Sequence, residues 1–294
     1  MTASVNYWTK KTLDLAAKGD YLDRLLEIYP AKLPPERPLP DALKQTIIDL
    51  YQKGKYEDLV VLLIDLKDYD YPFPIEHPYA ALLRHLGKDQ RSSVIKRNPQ
   101  VVRELADLLV SLGLNNILGG IERPKDINRT LGVAFKTWVN KKFTNPPFRV
   151  VDNYRMLPRC SNNEICIYAG PDYKIAEFII TYLGLREPTK GFFDRDIAAR
   201  VKDVYVICEA RFLSTPGGSQ SRDLDNTLRF VETMEEIAAR STEVKLKGVA
   251  LLDGVVWFYG PYVEQIKARA VNDRVVMSVL FLEEYLLDLF NKVS

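Results

Sequence analysis

The chain has 294 residues, roughly twice a typical ~150-residue domain, so one large domain or two packed ones are both open. With 47% hydrophobic and 27% charged residues it is neither disordered nor fibrous, and 41 Lys plus Arg against 39 Asp plus Glu announce no polyanion partner through overall charge. Its two histidines, His77 and His85, leave no HExxH zinc helix, little scope for a Cys/His zinc site and poor support for a Ser–His–Asp triad, so an enzyme here would depend on carboxylates.

The first twenty residues lack the basic start, apolar core and cleavage site of a secretory signal. The longest apolar runs, residues 59–64 and 275–282, fall far short of the roughly 20 residues that span a bilayer. No membrane span and a cytoplasmic location are expected. Cys160, Cys166 and Cys208 are odd in number and lack ligand-like spacing, so they read as small buried groups in a reducing compartment, not as a disulfide framework.

Residues 1–125 read as a helical region. Residues 42–52 carry Leu43, Ile47, Ile48 and Tyr51 on one side, and residues 56–66 form a more buried helix. The five prolines of residues 30–40 (PAKLPPERPLP) favour an extended connector. A helix is predicted over Pro99–Leu112, with Asn98 as cap, Pro99 in the first turn, an apolar face from Val102 to Leu112, and Gly113 as the stop. Residues 126–143 read as an amphipathic helix, with Leu131, Phe135, Trp138 and Val139 inward and Arg129, Lys136, Lys141 and Lys142 elsewhere. Those cations could meet phosphate or simply be solvated.

From about Phe148, β-rich runs alternate with helices: 164–168, 196–201, 204–212, 249–252 and 255–259, with helices over 171–183 and 221–240. This pattern implies an α/β or α+β layer architecture over 126–294.

The segment 192–227 (FFDRDIAARVKDVYVICEARFLSTPGGSQSRDLDNT) carries the most chemistry. Lys202-Asp203 reads as a tight turn between two strands. Alternation along the second puts Glu209 and Arg211 on one side, and hairpin pairing brings Asp196 near Glu209. Two carboxylates beside a cation suit a hard divalent ion such as Mg²⁺, which can polarise a phosphodiester and acidify a water. A surface ion pair on a hairpin would have the same spacing. The apolar run Val204–Cys208 favours a site, because it leads Glu209 to a buried strand end where an unpartnered carboxylate is costly. Asp194 is a rival to Asp196, Asp203 falls in the turn, and Glu177 on the preceding helix could supply a further acid.

This segment resembles the PD-(D/E)XK nuclease superfamily, and is similar to type II restriction endonucleases in particular: Asp196, Glu209-Ala-Arg211, then Phe212 to Gln220 with its glycine pair. The likeness continues in Arg129-Thr-Leu-Gly-Val-Ala-Phe-Lys-Thr-Trp138, Leu252-Asp-Gly-Val-Val-Trp257 and the terminal SVLFLEEYLL, and touches Arg97-Asn-Pro99 and residues 73–78.

The resemblance implies a restriction-endonuclease-like mixed sheet flanked by helices, with a nuclease core over 126–294 and a helical region over 1–125 that could recognise DNA. It implies a homodimer cutting double-stranded DNA with Mg²⁺ to leave 5′-phosphates. Asp196, Glu209 and the Ala210 carbonyl would be metal ligands, and Asp196, Glu209, Arg211 and Gln220 catalytic. Gln220 could equally be bonded to backbone at its helix start. Arg97, Arg129, Lys136 and Lys141 are candidate DNA contacts, within basic stretches that also include Arg84, His85, Lys88, Arg91 and Lys96, and Arg123, Lys125 and Lys142. Arg211 stands where the pattern prefers Lys, and a guanidinium cannot act as a base. The other readings are a DNA-binding protein with a decayed site and a repair or structure-selective nuclease on the same fold.

Overall fold

A computed structural model describes residues 4–30, 38–123 and 127–293, the side chains of 127–129 excepted. Most of the proline-rich connector, the side chain of Arg129, and Lys125 therefore lie outside the described residues. The chain divides into two compact units, one of Met1–Lys32 with Leu131–Ser294 and one of Leu33–Thr130.

The first 32 residues thus group with the sheet and not with the helical region, unlike the expected division at 125. Their polar side chains explain why. Helix α1 (Tyr7–Lys18) is tied to the last strand region: Thr9 donates to the Val276 carbonyl at 2.7 Å, Thr12 accepts from Ser278 N at 3.1 Å, and Asn6 N donates to Ala270 O at 2.8 Å. Helix α2 (Tyr21–Leu25) buries Tyr21 and Leu25.

The second unit is helical: α3 (Asp41–Gln52), α4 (Tyr56–Asp65), α5 (Pro78–His85), α6 (Lys88–Arg97), α7 (Pro99–Leu112) and α8 (Leu114–Glu122). Its core gathers Leu59 and Leu63 from the predicted helix over 56–66, Leu105 and Leu109 from the predicted face of α7, and Ile117 from α8, a helix the sequence did not signal. Gly113, at φ 80°, ends α7 as expected. Asn98 occupies the N-cap position of α7 as expected, but its side chain makes no capping bond; its amide donates back to the Val94 carbonyl at 2.7 Å. Two members of the basic stretch are structural. Arg91 is buried against Asp65 (2.9 Å) and Asp68 (3.0 Å), and Arg84 donates to the carbonyls of Leu63 and Tyr71. Their terminal guanidinium nitrogens are engaged inside this unit.

Helix α9 (Ile127–Lys142) leads into the sheet unit, with Leu131, Phe135 and Val139 buried as its apolar face predicts. Six strands follow: β1 (Phe148–Val150), β2 (Ile165–Tyr168), then α10 (Asp172–Thr181), β3 (Ile197–Val201), β4 (Val204–Leu213), α11 (Gly218–Arg240), β5 (Lys245–Gly254), α12 (Gly260–Arg269), β6 (Val275–Met277) and α13 (Leu282–Lys292). The strands lie in sequence order in one mixed sheet, antiparallel across β2–β3–β4 and parallel elsewhere. This is the expected fold class, a mixed sheet flanked by helices. No helix among the described residues is long and apolar enough to cross a membrane.

Two expectations are corrected. Residues 255–259 are not a strand: Gly254 sits at φ 90°, where a Cβ would lie 2.1 Å from the Leu213 carbonyl oxygen, and the chain turns there into a 3-10 segment. Cys160 and Cys166 are not free thiols. The turn before β2 brings their Cα atoms to 6.4 Å and they form a disulfide, while Cys208 alone is a buried free thiol.

At the end of β5, Asp253 is fully buried and accepts hydrogen bonds from Ser278 (2.6 Å), Tyr21 (3.0 Å) and Tyr29 (3.3 Å). Burial outweighs these donors and pushes its pKa up to about 6. Between about pH 4 and pH 6 the folded chain keeps a proton that the unfolded chain has released, so stability falls as pH rises through that window, by at most ~3 kcal/mol. Thermal melting at about pH 4.5 and about pH 7 should show wild type losing more stability across the interval than Asp253→Asn. Equal losses would remove this carboxyl from the pH dependence.

Candidate active site

The β3–β4 hairpin places the two acids. Lys202-Asp203 turns the chain, Val201 pairs with Val204, and each step back pairs the next residues until Ile197 faces Cys208. Asp196 lies one residue beyond, its N–H donating to the Cys208 carbonyl at 3.1 Å and its Oδ2 accepting from Ala210 N at 2.9 Å. Asp196 is 8% exposed and Glu209 3%.

Three cations meet these acids. Arg211, 42% exposed, places Nη2 at 3.0 Å from Glu209 Oε1 and Nη1 at 3.9 Å from Asp196 Oδ2, so one guanidinium lies within ion-pair range of both carboxylates. Arg195 places Nη1 at 3.4 Å from Glu209 Oε2 and lies over the Phe230 ring, 4.4 Å from its centroid. Lys136, from α9, places Nζ at 3.9 Å from Asp196 Oδ1 and also bonds the Gly170 carbonyl at 3.0 Å and the Asp172 carboxylate.

Burial raises the pKa of both acids. Against it act the Ala210 N–H, Arg211 and Lys136 on Asp196, and Arg195 and Arg211 on Glu209. The same burial lowers the pKa of Arg195. Each carboxylate is therefore held in a poorly solvated place where a further positive charge would be welcome.

The donor set fits a hard divalent cation. Glu209 Oε2 is buried without a hydrogen-bond donor, and Thr227 on α11 approaches this carboxylate without bonding geometry. Asp196, Glu209 and the Ala210 carbonyl would hold such an ion, although that carbonyl now accepts from Arg211 Nη1 at 3.2 Å. Beside Glu209 opens a cavity of about 440 Å³ lined by Lys190, Arg195, Arg211, Asp223, Asn226 and Phe230 among others.

Three of the other candidates engage partners of their own. Gln220 accepts from Thr215 N at 3.1 Å and donates to Ser214 Oγ at 3.2 Å, closing the loop ahead of α11. Glu177 pairs with Lys174 at 2.7 Å, whose hydrogen bond pulls its pKa down. Asp203 pairs with Lys245 at 2.6 Å, and Asp194 is exposed. Arg97 and Lys141 are exposed, whereas Lys142 pairs with Glu283 at 3.3 Å.

The sequence reading passed over Arg195 and Asp172. Arg195 adjoins Asp196, and strict alternation would put it on the opposite face; only a start of β3 after both residues lets it turn toward Glu209. Asp172 opens α10, and its nearness to Lys136 depends on how α9 and α10 pack.

A family model described as Tsp45I type II restriction enzyme matches residues 6–289. No curated protein and no solved structure matches.

Proposed function

The chain belongs to the Tsp45I type II restriction enzyme family, and from that premise we propose that Asp196 and Glu209 form a PD-(D/E)XK-type centre. In this reading the protein hydrolyses both strands of double-stranded DNA at a specific sequence, with Mg²⁺, and acts as a homodimer. The observation that carries it is the convergence of two buried carboxylates, from the arms of one hairpin, on one guanidinium, with a further oxygen, Glu209 Oε2, held only by an ion pair to Arg195 at 3.4 Å and by no hydrogen bond.

A bound Mg²⁺ would supply charge neutralisation at the phosphate and acidify a nearby water. The residues do the rest. Asp196 and Glu209 offer oxygens fixed by the hairpin, and Ala210 N–H holds one of them in place. Arg211, partly exposed, can turn from the carboxylates to a phosphate oxygen and offset charge as it develops. The water oxygen bonds to phosphorus as the P–O3′ bond breaks, the water loses a proton and O3′ gains one, leaving a 5′-phosphate and a 3′-hydroxyl. Exposed Arg97 and Lys141 are proposed phosphate contacts.

One observation favours a second reading. Arg211 stands at the position where the pattern has Lys, as it would in a DNA-binding protein whose centre has decayed. Digestion of plasmids of known sequence separates the two. Discrete fragments in Mg²⁺ and none in EDTA are expected; binding without cutting in any divalent metal would establish decay, and smearing would establish a nuclease without sequence specificity.

A further inference from the structure

We propose that Lys136 is a catalytic residue of this centre, holding the attacking water between its ammonium and Asp196 Oδ1; the proposal rests on the nuclease reading above. An ammonium has three N–H donors. Two of Lys136's are used, on the Gly170 carbonyl at 3.0 Å and on the Asp172 carboxylate, which together fix where the group sits. The third is left for the side facing Asp196, whose Oδ1 lies 3.9 Å away. That separation is too long for a direct hydrogen bond and short enough for one water to bond both groups.

The two oxygens of Asp196 are thereby divided. Oδ2 is taken by Ala210 N and lies on the Arg211 side, while Oδ1 faces Lys136. The other cations have different work: Arg211 lies within ion-pair range of both carboxylates, and Arg195, 11% exposed, pairs with Glu209 Oε2. Lys136 is the one ammonium in contact with either acid among the described residues. It enters from a helix and not from the strand that carries Glu209.

A water in this position would accept a hydrogen bond from Lys136 and donate one to Asp196. One lone pair and one O–H remain free. The lone pair forms the bond to phosphorus as P–O3′ breaks; the proton lost by the water passes to solvent, and O3′ takes one from solvent. Lys136 stays charged throughout and stabilises the hydroxide character that grows on the attacking oxygen.

The test compares wild type with Lys136→Gln and Lys136→Arg in three measurements: single-turnover plasmid cleavage in saturating Mg²⁺, DNA binding in Ca²⁺, and Mn²⁺ binding by calorimetry. Lys136→Gln should cut at least about 100-fold more slowly while binding DNA within about 3-fold of wild type. It should bind Mn²⁺ equally or more tightly, because a cation beside Asp196 has been removed. Lys136→Arg, which keeps the donor, should fall between. A merely structural role predicts the opposite split, with Mn²⁺ binding and cleavage lost together, and that result would overturn the proposal. So would cleavage by Lys136→Gln within about 3-fold of wild type. Failure of wild type itself to cut would overturn the nuclease reading and this proposal with it, whereas a normal Lys136→Gln beside an active wild type would overturn this proposal alone.

Discussion

Replacing Glu209 by glutamine should slow cleavage by at least about 10³-fold, equivalent to about 4 kcal/mol of transition-state stabilisation, with DNA binding retained. Glutamine fills the same volume, so β4 and its pairing with β5 at Ala250 stay as they are. What changes is charge. The carboxylate is 3% exposed and one of its oxygens has an ion pair with Arg195 but no hydrogen bond, so a divalent ion would compensate it well. An amide offers one weaker oxygen and no charge. Removing a negative charge from a surface that must accept phosphates should also leave DNA affinity in Ca²⁺ unchanged or higher. Gel-shift and single-turnover measurements on the same preparation check both halves. Cleavage near the wild-type rate would remove Glu209 from the chemistry.

At Arg211 the expected results differ by substitution. Arg211→Ala should lower the cleavage rate by about 10²-fold or more, since it removes the donor that lies within ion-pair range of both carboxylates and is exposed enough to reach a phosphate. Arg211→Lys should stay within about 10-fold of wild type, because an ammonium retains the charge but not the fork that spans Glu209 and Asp196. With Lys136 already placing an ammonium beside Asp196, a second one on the strand has little to add. Cleavage by Arg211→Lys more than about 10-fold faster than wild type would show that the strand position needs Lys and that the natural Arg attenuates the enzyme.

The acid pair was legible in the sequence because antiparallel register is arithmetic. Once Lys202-Asp203 is a two-residue turn, Val201 meets Val204 and Asp196 comes beside Glu209 without further information. The apolar faces of α7 and α9 followed from helical period in the same way. Lys136 is different: it stood out only as a basic helix residue, and its place at Asp196 depends on α9 docking sixty positions away in sequence. The disulfide escaped for a related reason, since three cysteines without spacing carry no pairing signal until a turn brings two of them together. The family likeness reaches no residue before 73, yet Tyr21 and Tyr29 donate to the buried Asp253 at the end of β5. Contacts set by local geometry were readable; those set by packing of distant segments were not.

Diffraction at the manganese edge from crystals of the protein with Mn²⁺ and DNA locates the ion itself. If the two carboxylates share it, an anomalous peak lies within about 2–2.3 Å of one oxygen of Asp196 and one of Glu209. A peak that touches neither carboxylate, while the same crystals hold cleaved DNA, would contradict that arrangement.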